Sequence, residues 1–265
     1  MLGVFDTGVG GLTVLKSIHE RLPHLSTLYL GDNARAPYGG HSAETIYRWT
    51  LESVRFLLDA GCPLVVLACN AASAVALRRM QQDVLPRDYP TRRVIGIVRP
   101  VGEYLARQPF REVGLLATPA TVASGYYLEM MQELGSPVRL TQMGCPGLAW
   151  KIERGEEDDE GTREIVRACS KELIARNPNL ETVVLACTHF PRVESLFRKA
   201  LPSAIPLLIQ SDIAAASLAE YLKRHPELNL DAAGSRRYLT TGSGEVSEIA
   251  SRVYGKPIRF ERVAL

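Results

Sequence analysis

Two cysteines carry the strongest chemical signal in the sequence. Val65-Val66-Leu67-Ala68-Cys69 recurs as Val183-Val184-Leu185-Ala186-Cys187, and each copy is followed by a small polar residue, Asn70 or Thr188. An apolar Val-Val-Leu-Ala run is common; a cysteine in register at its end is not. The echo reads as a duplicated α/β unit with two thiols flanking one cleft, each where a strand enters a helix. A thiol at a helix N-terminus meets oriented N–H groups and the positive end of the helix dipole, which favour the thiolate and lower its pKa. Two such thiols fit a pair of bases: one takes a proton from a carbon while the other delivers one to the opposite face, inverting a stereocentre. The same residues also fit nucleophilic chemistry, in which one assisted cysteine attacks carbon. Asp6 is placed to orient or assist Cys69, and His189, two residues past Cys187, to assist the second thiol.

Such side chains must be held at strand ends, and the rest of the sequence supplies the pattern. Short apolar, β-branched runs at 2–5, 28–30, 64–68, 94–97, 113–117, 183–186 and 206–209 read as strands, with segments of helical period between them. Over 43–60, Ile46, Trp49, Val54 and Leu57 fall near one face, and Gly61-Cys62-Pro63 then stops the helix. Strict alternation of strand and helix predicts α/β architecture with doubly wound parallel sheets. Ligands in such sheets sit beyond the carboxyl ends of the strands. The residues there are Asp6-Thr7-Gly8, Gly31-Asp32-Asn33, Cys69-Asn70, Thr118-Pro119 and Cys187-Thr188-His189.

Composition narrows the function classes. With 265 residues, 46% hydrophobic and 23% charged, the chain has the make-up of a folded globular protein. The 31 Lys+Arg against 29 Asp+Glu leave a net +2 without a concentrated basic run, which argues against a nucleic-acid partner. No apolar stretch is long enough to span a membrane and the N-terminus lacks a basic flank, so the expected location is the cytoplasm. Five cysteines without a C-x-x-C pair argue against a disulfide framework and a zinc cage, and the default role of Cys62, Cys145 and Cys169 is packing. Gly8-Val9-Gly10-Gly11-Leu12-Thr13 is not the full dinucleotide fingerprint, and its amides suit a substrate carboxylate instead. Few lysines lie near the strand ends, which disfavours a pyridoxal Schiff base. No cofactor and no metal are therefore expected. His19, His24 and His225 read as solvated.

These motifs resemble the glutamate racemases, within the aspartate/glutamate racemase superfamily, over essentially the whole chain. Phe5-Asp6-Thr7-Gly8-Val9-Gly10-Gly11-Leu12-Thr13-Val14 resembles the opening F-D-S-G-V-G-G-L-T-V, and Gly31-Asp32-Asn33-Ala34-Arg35-Ala36-Pro37-Tyr38-Gly39 the loop G-D-T-A-R-x-P-Y-G. Cys69-Asn70-Ala71-Ala72-Ser73-Ala74 stands where the family has C-N-T-A-S-A, the segment 117–122 resembles T-x-A-T-V, and Cys187-Thr188-His189-Phe190-Pro191 resembles C-T-H-Y-P.

The resemblance implies a cofactor-independent enzyme that interconverts L- and D-glutamate and supplies D-glutamate for peptidoglycan. It implies that Cys69 deprotonates the D enantiomer and Cys187 the L enantiomer, with Asp6 supporting Cys69 and with His189 and Glu153 supporting Cys187. Substrate contacts are implied for Thr7, Tyr38, Gly39, Asn70, Thr118, Thr121 and Thr188. It further implies a homodimer, and two similar domains related by a pseudo-twofold with the site between them: 1–94 plus 206–265, closed by the C-terminal segment, and 95–205. Four positions depart from the pattern: Thr7 for Ser, Asn33 for Thr, Phe190 for Tyr, and Ala71 for Thr. The last removes a donor from the substrate site, which predicts weaker glutamate binding. Alternatives are a racemase of another amino acid such as aspartate, or a binding protein for acidic amino acids.

Overall fold

The apolar runs become the strands of two parallel sheets. In the computed structural model, which describes residues 1–243 and 246–265, the first sheet contains β1 (Leu2–Asp6), β2 (Thr27–Gly31), β3 (Leu64–Leu67) and β4 (Arg93–Gly96). The second contains β5 (Glu112–Ala117), β6 (Arg139–Gly144), β7 (Thr182–Ala186) and β8 (Leu207–Ile209), and β9 (Arg236–Thr240) and β10 (Glu261–Arg262) extend the first. The strand orders are β10-β9-β2-β1-β3-β4 and β6-β5-β7-β8, and every pairing between these strands is parallel. The core order β2-β1-β3-β4 is repeated by β6-β5-β7-β8. Cys69 and Cys187 follow the corresponding strands β3 and β7, as the sequence echo requires.

Alternation along the strands explains how the sheets pack. Leu2, Val4 and Val66 of the first sheet share one core with Val113, Leu115 and Val184 of the second, together with residues of the helices Leu12–Arg21, Val98–Ala106, Tyr126–Glu133 and Gln210–Arg224. Phe5, Leu30, Val65 and Leu67 point the other way, toward the helices Ala43–Asp59 and Asn70–Arg79. Leu116, Val183 and Leu185 do the same beneath Leu148–Glu153 and Glu160–Arg176. Strands buried on both faces are why these segments read as unbroken apolar runs.

The helix Ala43–Asp59 begins where Ser42 accepts from Thr45 N–H and stops before Gly61, whose φ of +93° belongs to the left-handed region.

The structure corrects three expectations. Leu207–Ile209 pairs with β7 rather than joining the first sheet, and β4 keeps Gly96 in the first. β6, β9 and β10 were not expected; β6 and β10 are half-buried or exposed, and β9 buries only Leu239 and Thr240 after its opening Arg236-Arg237. His19 is buried rather than solvated, between Tyr254 Oη at 2.6 Å and Thr27 Oγ1 at 2.9 Å.

Candidate active site

The carboxyl ends of β1, β3 and β7 converge. Asp6 closes β1, is fully buried, and accepts on Oδ2 from Gly8 N–H at 3.1 Å and Gly11 N–H at 2.9 Å; Thr188 Oγ1 lies 3.4 Å from Oδ1. Tyr29 Oη donates to the Gly8 carbonyl at 2.6 Å and fixes the turn. A Cβ on Gly8 would lie 2.5 Å from Glu153 Oε2, so a side chain there would displace the Glu153 carboxylate that crosses over the turn.

Cys69 caps the helix Asn70–Arg79, its Sγ accepting from Ala72 N–H at 3.5 Å. Burial nevertheless dominates over the helix: it pushes the thiol up from its ordinary range, Asp6 adds to the rise, and Ala72 N–H and Thr7 only partly oppose it. The expected thiolate-favouring shift at this sulfur is therefore reversed, and unliganded Cys69 is a neutral thiol. Asp6 is itself raised to about 6, first by burial, against the pull of His189 and of the Gly11 and Gly8 amides. Asp6, at the neighbouring strand end and electrostatically coupled to this thiol, is the group placed to exchange a proton with it.

On the other side, Cys187 Sγ lies 3.7 Å from His189 Nδ1, and His189 Nε2 lies 2.5 Å from Glu153 Oε2. Burial opposes the charge on this imidazole, but its contacts with Cys187 and Glu153 prevail and hold its pKa well above the usual histidine range. A charged imidazole beside a sulfur can serve as proton donor or counter-charge. The Glu153 carboxylate is anchored in turn by Val9 N–H at 3.2 and 3.3 Å and by Asn33 Nδ2 at 3.0 Å.

Both thiols face one cavity of about 10 Å³, room for about a single water molecule. Thr7, Tyr38, Gly39, Asn70, Ala71, Thr118 and Thr188 line it with them. Gly39 and Thr118 form its closed lips, so tight that a Cβ on Gly39 would lie 2.5 Å from Thr118 Cβ. Among the described residues no group of three or more His, Cys, Asp or Glu side chains is gathered to hold a metal ion.

The chain that carries this arrangement is similar to known proteins along most of its length. The sequence profile of the family described as Asp/Glu/hydantoin racemase matches residues 3–219. The chain belongs to the Asp/Glu/hydantoin racemase family. A glutamate racemase of Paracoccus denitrificans is 42% identical over 98% of both chains. Among solved structures, a glutamate racemase from Bacillus anthracis superimposes with a TM-score of 0.89 at 31% identity, covering 100% of this chain and 97% of its own. The glutamate racemase from Francisella tularensis, in complex with D-glutamate, gives 0.84 at 26% identity, covering 99% and 97%.

Within this racemase-family chain the site residues read from the sequence lie together, with differences in what they offer. Thr121 stands behind the cavity, its N–H donating to Thr118 Oγ1 at 3.3 Å and its hydroxyl 3.0 Å from that atom. The Tyr38 hydroxyl is committed to Asp32, which leaves its ring and backbone to face the cavity. The Asn70 amide is engaged from behind: Nδ2 donates to Gln210 Oε1 at 2.8 Å and Tyr127 Oη at 3.2 Å, and Oδ1 accepts from Gln210 Nε2 at 2.6 Å. Gln210 and Tyr127 were missed. Gln210 had a signal, because it directly follows the last strand read from the sequence and the strand-end rule applies to it equally. Tyr127 had none.

Proposed function

We propose that the protein is a glutamate racemase that works without a cofactor, using Cys69 and Cys187 as two bases on opposite faces of the α-carbon. The observation that carries this reading is the pair of thiols at equivalent strand ends, facing one small cavity, each with its own proton partner. Cys69 takes the α-proton of D-glutamate and Cys187 that of L-glutamate. Asp6 accepts the Cys69 proton when the thiolate is needed, and an incoming ammonium and two carboxylates replace the water that the closed cavity excludes. On the other side the charged His189, held by Glu153, serves Cys187 as counter-charge and proton donor. Thr7, Thr118, Thr121, Thr188, Asn70 and the backbone at Tyr38 and Gly39 bind the substrate, and the free first-turn amides of the helix at Asn70 and Ala71 suit a carboxylate. In this reading the enzyme acts in the cytoplasm as a homodimer and supplies D-glutamate for the cell wall.

The test is incubation of the purified protein with L-glutamate and, separately, L-aspartate without added cofactor, followed by chiral chromatography. Glutamate is expected to approach an equal mixture. Turnover of aspartate alone contradicts the substrate assignment, and turnover of neither contradicts the activity.

A further inference from the structure

The two thiols differ in where their partners are held. Asp6 draws both of its backbone donors, Gly8 and Gly11, from the loop that follows its own strand. The contact that reaches it from the second sheet, Thr188 Oγ1 to Oδ1, is long at 3.4 Å. For Cys187 the situation is reversed. Glu153 ends a helix that packs under the second sheet, yet both groups that anchor its carboxylate opposite His189 come from the first: Val9 N–H and Asn33 Nδ2. Asn33 follows β2, and its carboxamide is fixed from behind because Thr240, at the end of β9, donates Oγ1–H to Asn33 Oδ1 at 2.8 Å. With Oδ1 occupied as an acceptor, the amide presents Nδ2 to Glu153. An asparagine also carries its donor one bond further from the backbone than threonine does, so its reach across the cleft is a property of this residue type.

We propose that Asn33 is a positioning residue for racemisation: it fixes the Glu153 carboxylate across the cleft, so that the Glu153–His189–Cys187 relay assembles only when the two sheets' loops are closed together. The Asp6 carboxylate beside Cys69 is held within one half, by Gly8 and Gly11, and takes no hydrogen bond from Asn33. The inference rests on the racemase reading above. Proton abstraction by Cys187 is therefore more sensitive to loss of Asn33 than abstraction by Cys69 is.

Racemisation itself cannot separate the two, because enantiomers have equal free energy and kcat/KM in the two directions must change together. Elimination from 3-chloroglutamate can. A thiolate takes the α-proton, the Cα–H electron pair becomes the Cα=Cβ bond, and chloride leaves with the Cβ–Cl pair; the enamine tautomerises and hydrolyses to 2-oxoglutarate and ammonium. The L enantiomer uses Cys187 and the D enantiomer Cys69. Wild-type protein, Asn33→Ala and Thr240→Val are assayed with each enantiomer by 2-oxoglutarate release. Asn33→Ala is expected to slow the L reaction about tenfold or more and the D reaction less than about threefold, as loss of one charge-assisted hydrogen bond implies. Thr240→Val shifts the ratio in the same direction by a smaller factor, and the retained D reaction reports that the variants are folded. Equal slowing of both reactions, or of neither, overturns the proposal. Wild-type protein that eliminates from neither enantiomer overturns the racemase reading itself.

Discussion

Asp6 is the residue at which proton traffic beside Cys69 is most directly measurable. Its carboxyl is raised to about 6, so it is protonated at pH 5 and ionised at pH 7, and only the ionised form can take the thiol proton. The acid limb of kcat/KM is therefore expected to rise through about pH 6. Asp6→Asn should lose that limb and slow turnover by about 10²–10⁴-fold; an unchanged pH profile in the variant contradicts the role. Ala71 gives a second residue-scale prediction. It lines the cavity, and restoring a hydroxyl with Ala71→Thr adds a donor to a charged substrate, about 1–3 kcal/mol or one to two decades in KM. An equal or higher KM for glutamate rejects it. The two thiols were legible in the sequence because duplication put them in the same register. Asn33 was legible only as a departure from a pattern, since its partners Glu153 and Thr240 are distant along the chain and only the fold brings them together.

At the scale of elements, the helix Val246–Tyr254 is tied to the helix Leu12–Arg21 by a buried polar contact that hydrophobic periodicity does not announce. Tyr254 Oη lies 2.6 Å from His19 Nδ1, and Arg236 donates to the same hydroxyl at 3.1 Å. Burial, helped by the nearby Arg236 charge, lowers His19 to about 4 from the 6.5 of a free imidazole. A depressed histidine stabilises the fold fully above pH 6.5, and that contribution is lost as pH falls through about 4. Urea melts should accordingly show wild-type stability falling across that interval more steeply than that of His19→Gln; parallel slopes contradict the assignment. At pH 7, Tyr254→Phe should cost about 1–3 kcal/mol by stranding a buried ring nitrogen. Strands buried on both faces, such as Leu2–Asp6 and Thr182–Ala186, were legible as apolar runs. Arg236–Thr240 was not, because its opening arginines are incompletely buried and leave no such run.

For the whole molecule, the repeated strand order predicted by one short echo puts two half-sites against each other, with a common core between the sheets. The α/β class followed from alternation, whereas the sheet that receives Leu207–Ile209 did not, because an edge strand reads the same whichever sheet it joins. At about 10 Å³ the cavity is too small for an amino acid, so admitting one requires Gly39 and Thr118 to part. In the proposed reaction a different thiol works on each face of the α-carbon. It is tested most directly by running the reaction from L-glutamate in deuterium oxide and measuring α-deuterium in product and recovered substrate at early times. D-glutamate that carries solvent deuterium is expected beside L-glutamate that remains almost entirely protiated. Deuterium entering both enantiomers equally from the start, or product that keeps the original hydrogen, would contradict it.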